Sequence, residues 1–220
     1  MALENLYQCT KDELTDLPQR LADVFLDNPL FLIAFPKEAT RRECLVYFFE
    51  QYLTAIAPDS MFLADSKELN TIMIVCDSRR YEHRRYLQRL AKMNLKFVHF
   101  IPLLGISHCF SLIRNWDIFS SRWLKDFERD KFFHLDMIFT RKELWGQGRG
   151  EAMIRELLDE GDIMDMDISV EAYQKNTALW LEKMGFVLMN TIVDEDNDLY
   201  QYCLIARHHK EQKTWIQSIE

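Results

Sequence analysis

Glycine and proline are scarce, six and five in 220 residues, where average usage would give about 15 and about 11. So few breakers predict a chain rich in regular structure, and no repeat or Pro/Ser-rich linker divides it. There is no C-x-x-C pair: Cys9, Cys44, Cys76, Cys109 and Cys203 are scattered and odd in number. That argues against a disulfide framework or a zinc site and fits a reducing, cytoplasmic compartment. The six histidines form no ligand spacing, so no metal is expected. Positive charge is short as well: 27 Lys and Arg against 35 Asp and Glu leave a net charge of −8. A dedicated nucleic-acid binder needs the opposite sign to neutralise phosphates. No apolar run approaches the roughly 20 residues of a membrane helix. The first residues lack the basic and apolar regions of a secretory signal.

What remains is 48% apolar and 28% charged, which excludes disorder for the bulk of the chain and predicts one domain with a sizeable core. Leu14, Leu17, Leu21, Val24 and Phe25 recur at helical spacing, predicting a helix over 12–26 that Asn28-Pro29 breaks. A second helix is expected over 38–56, with Cys44, Leu45, Phe48, Tyr52 and Ile56 on one side. Two strand-like runs follow, 61–64 and 71–76. Residues 79–101 read as a long helix whose first turns carry Arg79, Arg80, Arg84, Arg85 and Arg89. A solvated face is the plain reading of those arginines, a phosphate or RNA contact the sharper one. More helix is expected over 107–130.

From residue 132 the pattern changes. A strand (132–140), a Gly-rich turn, a helix (148–160), a strand (163–170), a helix (175–184) and two strands (186–194 and 199–207) follow in order. The acidic turn 194–198 joins the last two as an antiparallel hairpin; it lacks the spacing of a calcium loop. His208-His209 is read as solvated.

Three of the six glycines, Gly146, Gly148 and Gly150, fall within five residues, between a strand and a helix. Glycine lets a backbone approach a ligand closely, and the first N–H groups of a helix have no internal partner and favour negative charge. Such a turn can cradle phosphate. A tight turn in which glycine only relieves strain would use the same residues. No Lys-Ser/Thr follows, which excludes a Walker A loop, and Gly148-Arg-Gly150 is one residue too short for the dinucleotide motif.

Trp145-Gly146-Gln147-Gly148-Arg149-Gly150, then Val170-Glu171, then Asn176-Thr-Ala178 and Leu181-Glu-Lys-Met-Gly185-Phe186, together resemble the GNAT acyltransferase superfamily. Its consensus is Gln/Arg-x-x-Gly-x-Gly/Ala followed by Asn-x-x-Ala…Tyr-x-x-x-Gly-Phe. Asp27-Asn28-Pro29, Phe35-Pro36 and Arg41-Arg42 look like the subgroup that includes puromycin acetyltransferase. The likeness is good over about 132–207 and weaker over about 14–78. Trp145 stands where the consensus has Gln or Arg, and Leu181 where it has the Tyr that often protonates the leaving thiolate.

The resemblance implies a mixed α/β fold, with a mostly antiparallel central sheet flanked by helices and a helical amino-terminal elaboration. It implies a single domain over 1–220: a helix-rich acceptor side at 14–130 and an acyl-CoA-binding core at 132–207. It implies acetyl-CoA as co-substrate, with its pyrophosphate on the N–H groups of Gln147, Gly148, Arg149, Gly150 and Glu151. The pantetheine arm would lie along Ile138, Phe139 and Thr140, with Asn176 at its far end and the oxyanion on a backbone N–H of 138–140. The implied reaction is direct attack on the thioester by a primary amine of a small molecule or peptide, in a monomer or homodimer. A catalytically silent acyl-CoA-binding module is the alternative.

An amine with a pKa near 10.4 must lose a proton before it attacks. Strand alternation puts His134, Asp136, Ile138 and Thr140 on one face, and Asp165, Asp167, Ser169 and Glu171 on one face of the next strand. Neither strand is apolar on both sides, so one face of each is expected to meet water or a cleft. Asp136 and Glu171 are the candidate bases and Tyr173 a candidate acid. Solvated strand carboxylates, a water relay and a rim aromatic are the plain alternatives.

Overall fold

The computed structural model describes residues 3–80, 88, 100–106, 108–109, 121, 123–124 and 131–208. Most of the Arg-rich helix expected over 79–101, nearly all of 107–130, and His209 lie outside them. The elements are β1 (Tyr7–Gln8), α1 (Leu17–Val24), α2 (Pro29–Ala34), α3 (Glu38–Ile56), β2 (Ser60–Ala64), β3 (Thr71–Asp77), a four-residue α4 (Ile101–Leu104), β4 (Phe132–Thr140), α5 (Arg149–Met164), β5 (Asp167–Ala172), α6 (Lys175–Lys183), β6 (Val187–Asp194) and β7 (Leu199–Ala206). They form one seven-stranded sheet in the order β1-β2-β3-β4-β5-β7-β6. Every neighbouring pair is antiparallel except β4 and β5.

Helices cover both faces of the sheet. On one face, Met153, Ile154 and Leu157 of α5 and Ala178 and Leu181 of α6 bury themselves against Phe133, Leu135, Ile168, Val170 and Leu204. On the other, Leu17, Leu21, Leu45 and Phe49 of α1 and α3 pack on Ile72 and Phe139, with Phe31 and Phe35 of α2 beside them. Each fully buried Leu, Ile or Phe in these layers contributes on the order of 1.5–3 kcal/mol.

Several boundaries differ from expectation for local reasons. The expected 12–26 helix is a short 3-10 turn, Asp12–Leu14, followed by α1. Asn28-Pro29 ends that run but also starts another: Asn28 Oδ1 accepts the Leu30 N–H at 3.0 Å, with Pro29 in the first helical position. That is how Pro is tolerated at a helix start. α5 runs four residues past its expected end, because Gly161 lets the last turn close on the next strand. The Met166 N–H reaches the Gly161 carbonyl at 2.8 Å, and Asp165 takes the left-handed conformation that stops the helix. β5 therefore begins at Asp167 rather than 163. His208 is not solvated: it is 7% exposed, and its backbone N–H donates to Asp167 at 3.1 Å.

Two features of β4 shape the candidate site. It pairs with β5 only from Phe132 to Leu135, opposite Asp167 to Val170. Beyond that point β4 continues along β3 to Thr140, while β5 continues along β7 to Ala172. The two parallel strands therefore part in mid-sheet. The β3–β4 register also slips at this point: Val75 faces Leu135 and Ile74 faces Met137, so Asp136 is the extra residue of a bulge. A bulge turns the following side chains over. His134 and Asp136 lie on the α3 face, whereas Ile138 packs with the α5 core. The single shared face expected for His134, Asp136, Ile138 and Thr140 is thus divided in two.

Candidate active site

The turn after β4 ends in Gly146 and Gly148, both left-handed, with φ of 75° and 72°. Only glycine takes that conformation without cost. Gly148 is the residue before α5, and a Cβ there would meet no atom within 4 Å. The space beside it is open. Among the described residues, no backbone N–H from 146 to 151 has a backbone acceptor; the first α5 bond runs from the Ala152 N–H to the Gly148 carbonyl at 2.9 Å. Consecutive unpaired donors at the positive end of a 16-residue helix make an anion cradle. The cradle follows directly on β4, on the side where that strand has left β5.

Neighbouring side chains fix the turn. Arg149 Nη1 pairs with Asp65 Oδ2 at 2.7 Å, tying the turn to the β2–β3 connection. Asp65 Oδ1 in turn accepts the Thr71 N–H at 3.1 Å. Trp145 is 58% exposed, and its indole N–H donates to the Thr140 carbonyl at 2.8 Å. Trp145 therefore closes the turn. Gly150 sits against β4, where a Cβ would be 3.8 Å from Ile138 Cδ1 and 3.9 Å from Thr140 Oγ1. Phe139 is buried on the opposite face beneath the Arg20 guanidinium, so only its backbone faces the gap between β4 and β5. Asn176 is exposed in the first turn of α6, just past the end of β5.

At the parting of the strands, Asp136 and Glu171 belong to one polar cluster on the α3 face. The Tyr52 hydroxyl of α3 donates to Asp136 Oδ1 at 2.5 Å, and Asp136 Oδ2 is buried with no hydrogen-bond partner. Glu171 Oε1 accepts the Trp123 indole N–H at 2.6 Å, and its Oε2 lies 3.3 Å from His134 Nε2. His134 Nδ1 is 2.9 Å from the Ser169 hydroxyl. Tyr173, two residues beyond Glu171, accepts a hydrogen bond from Gln201 Nε2 at 3.1 Å. The expectation that one face of each strand meets water or a cleft fails for part of β5: Asp167 and Ser169 are fully buried. Burying polar groups costs least where they hydrogen-bond one another, as Ser169 does with His134 and Glu171 with Trp123.

These contacts set the proton affinities. Burial raises the Asp136 pKa above the ordinary carboxylate range and the nearby Glu171 charge adds to this; His134 and the Tyr52 hydrogen bond only partly oppose it. Burial pushes Glu171 the same way, but the His134 charge and hydrogen bonds from His134, Trp123 and Ser121 outweigh it and hold Glu171 low. Burial disfavours a charged His134, yet Glu171 and then Asp136 keep its pKa above the usual value. Burial and the Glu171 charge hold the Tyr173 proton well above the ordinary phenol range. The cluster thus offers a carboxylate with raised proton affinity, an imidazole–carboxylate pair and a protonated phenol.

Leu181 is 2% exposed in the α5–α6 core. The sequence names Asp136, Glu171 and Tyr173 as candidates and gives no role to Tyr52, Trp123, Ser169 or His134, which the structure brings to the same cluster. The alternation that selected Asp136 and Glu171 placed His134 and Ser169 beside them, and that was the available signal. Arg79 is engaged by Asp77 at 2.7 Å and Arg80 lies 3.7 Å from the same buried carboxylate, so the first two arginines pair with an acid rather than only facing solvent. Among the described residues no His/Cys/Asp/Glu group could hold a metal ion, and no helix is long and apolar enough to cross a membrane. A surface cavity of about 340 Å³, lined in part by Arg155, Met184, Arg207 and His208, opens at the opposite end of β5.

No protein-family model matches the chain, and no curated protein does. Solved structures do. A histone acetyltransferase HPA2 and related acetyltransferase from Corynebacterium glutamicum superposes with a TM-score of 0.63 at 16% identity, covering 93% of this chain and 96% of that one. Arylalkylamine N-acetyltransferase 2 from Aedes aegypti superposes with a TM-score of 0.59 at 12% identity, covering 92% and 97%. The chain has the GNAT-type fold: a mixed α/β architecture with a mostly antiparallel seven-stranded sheet and amino-terminal helices.

Proposed function

We propose that the protein is an N-acyltransferase that moves an acetyl group from acetyl-CoA to a primary amine. The observation that carries this reading is the run of unpaired N–H groups over 146–151, set where β4 and β5 part. A diphosphate needs several donors and close backbone approach, and the open space beside Gly148 provides the approach. Gln147, Gly148, Arg149, Gly150 and Glu151 would hold the diphosphate. The free edge of β4 beyond Leu135 would take the extended arm, with the Thr140 carbonyl already accepting the Trp145 indole N–H. Asn176 would meet the arm's far end. The thioester supplies an activated acyl carbon and a thiolate of tolerable basicity.

The residues of the cluster supply the proton chemistry. Asp136 takes a proton from the incoming ammonium group: an N–H bond breaks, an O–H bond forms and a neutral amine remains. As the N–C bond forms and the C–S bond breaks, the second nitrogen proton passes to sulfur, and Tyr173, held protonated, would serve that transfer. A backbone N–H of 138–140 would hold the oxyanion. Overall, one ammonium and one thioester give an amide, a thiol and a proton.

The amino-terminal helices and the face bearing Tyr52 form the acceptor side, in a single domain. The acceptor is an amine on a small molecule or peptide, as for the puromycin-acetyltransferase subgroup that residues 27–42 resemble, and the protein acts as a monomer or homodimer. The test is amine-dependent release of CoA from acetyl-CoA across a panel of primary amines and peptides. Release with at least one amine is expected. The buried Leu181 favours a second reading, a silent acyl-CoA binder, in which acetyl-CoA binds but no amine releases thiol.

A further inference from the structure

The acyl-transfer reading gives His134, at the centre of the buried cluster, no role, and this inference rests on that reading. His134 is 7% exposed; its Nδ1 lies within hydrogen-bond distance of the Ser169 hydroxyl, and its Nε2 lies 3.3 Å from Glu171 Oε2 as an ion pair. On the Nε2 side stands Glu171, which as a carboxylate can only accept, so Nε2 keeps its hydrogen. On the Nδ1 side stands the Ser169 hydroxyl, which can face either way. It accepts from Nδ1–H while donating to the Phe133 carbonyl at 3.4 Å, or it donates to a bare Nδ1 at 2.9 Å. The ring can therefore gain or lose its charge at Nδ1 by rotation of one hydroxyl, without moving a heavy atom.

The surroundings need such a cation. The ionisable groups that face the ring or its partners are Asp136 on β4, Glu171 and Tyr173 on β5, Tyr52 on α3 and Cys203 on β7. All of these are neutral or negative. Two carboxylates this close and this buried resist ionising together unless a positive charge lies between them. Among the described residues no Lys or Arg pairs with either one, so the imidazolium supplies that charge.

We propose that His134 is a positioning residue for acyl transfer: a switchable cation, clamped by Ser169 and Glu171, that decides whether Asp136 is charged when the amine arrives. With the ring charged, Asp136 can ionise and accept the amine's proton. With the cation gone, Asp136 faces the Glu171 charge alone and keeps its own proton.

The test compares wild type with His134→Gln, Ser169→Ala and Glu171→Gln, using the amine that gives the fastest CoA release. Thermal protection by acetyl-CoA should persist in all three, which checks folding and cofactor binding. In His134→Gln the acidic limb of the kcat–pH profile should move to higher pH by about one unit or more, with kcat near neutrality falling about tenfold and KM for acetyl-CoA unchanged. Ser169→Ala should move the limb the same way by less. A His134→Gln profile that overlays wild type, with release intact, overturns the role of His134 and leaves acyl transfer standing. Absence of release with every amine overturns both. A second readout needs no acceptor: imidazole NMR should show the His134 ring titrating above the ordinary value of about 6.5, and below it in Glu171→Gln. A ring that titrates normally and ignores that substitution overturns the proposal.

Discussion

Substituting Gly148 by valine separates a conformational effect from a ligand effect. The φ of 72° means that any L side chain there is strained, by about 1–2 kcal/mol. For a chain of this size each kcal/mol lowers Tm by about 2–4 °C, so the variant should melt about 2–8 °C below wild type. Its Cβ adds no clash, because a Cβ at 148 meets nothing within 4 Å. The emptied space is where the diphosphate would approach. Acetyl-CoA at one hundred times its Kd protects a binding protein by about 2.7 kcal/mol, or about 5–11 °C here. Differential scanning fluorimetry with and without acetyl-CoA should show that protection in wild type and its loss in Gly148→Val. A variant that melts lower as expected yet keeps the full acetyl-CoA shift would refute the cradle.

Other outcomes follow from the same geometry. Gly161→Ala would place a Cβ 2.7 Å from the Met166 carbonyl oxygen; denaturant unfolding should show a loss of about 1–3 kcal/mol or more, with acetyl-CoA protection retained in the folded fraction. Asp65→Ala frees Arg149 from its 2.7 Å pair, and calorimetry should show weaker acetyl-CoA binding as the turn loosens. Glu160 is 2% exposed, both of its carboxylate oxygens lack a hydrogen-bond partner, and burial raises its pKa. A raised folded pKa gives stability that is present below the unfolded carboxylate value of about 4.3 and lost as pH climbs through the folded value. Glu160→Gln should therefore raise Tm at pH 8 and change it little near pH 4; equal shifts at both would contradict the assignment.

Local signals carried much of this architecture. α3 appeared as expected because nineteen residues without Gly or Pro keep a helical period up to Ile56. The acidic 194–198 turn marked the last hairpin because acidic and Asn residues suit turns, and Asp198 does take the left-handed conformation there. The glycine cluster stood out against a chain that has few others. The Asp136 bulge gave no warning: it depends on how β4 registers with β3, and neither Gly nor Pro marks it. That slip reversed the facing of Ile138 relative to His134, so alternation held only up to the bulge. The two-residue β1 is too short to show a period. Tyr52 read as one more apolar helix residue, since only the fold places it 84 positions away against Asp136. Polar alternation in β5 points to a face toward water or a cleft; much of that polarity instead serves the interior, where Ser169 and Glu171 meet His134 and Trp123.

The most direct measurement is an amide NMR titration of the 15N-labelled protein with CoA. The account predicts that the N–H resonances of 146–151 move first and furthest, as hydrogen-bond acceptors arrive at donors that had none. Perturbations centred instead on the cavity beside Arg155 and Arg207, with the 146–151 amides unmoved, would contradict it.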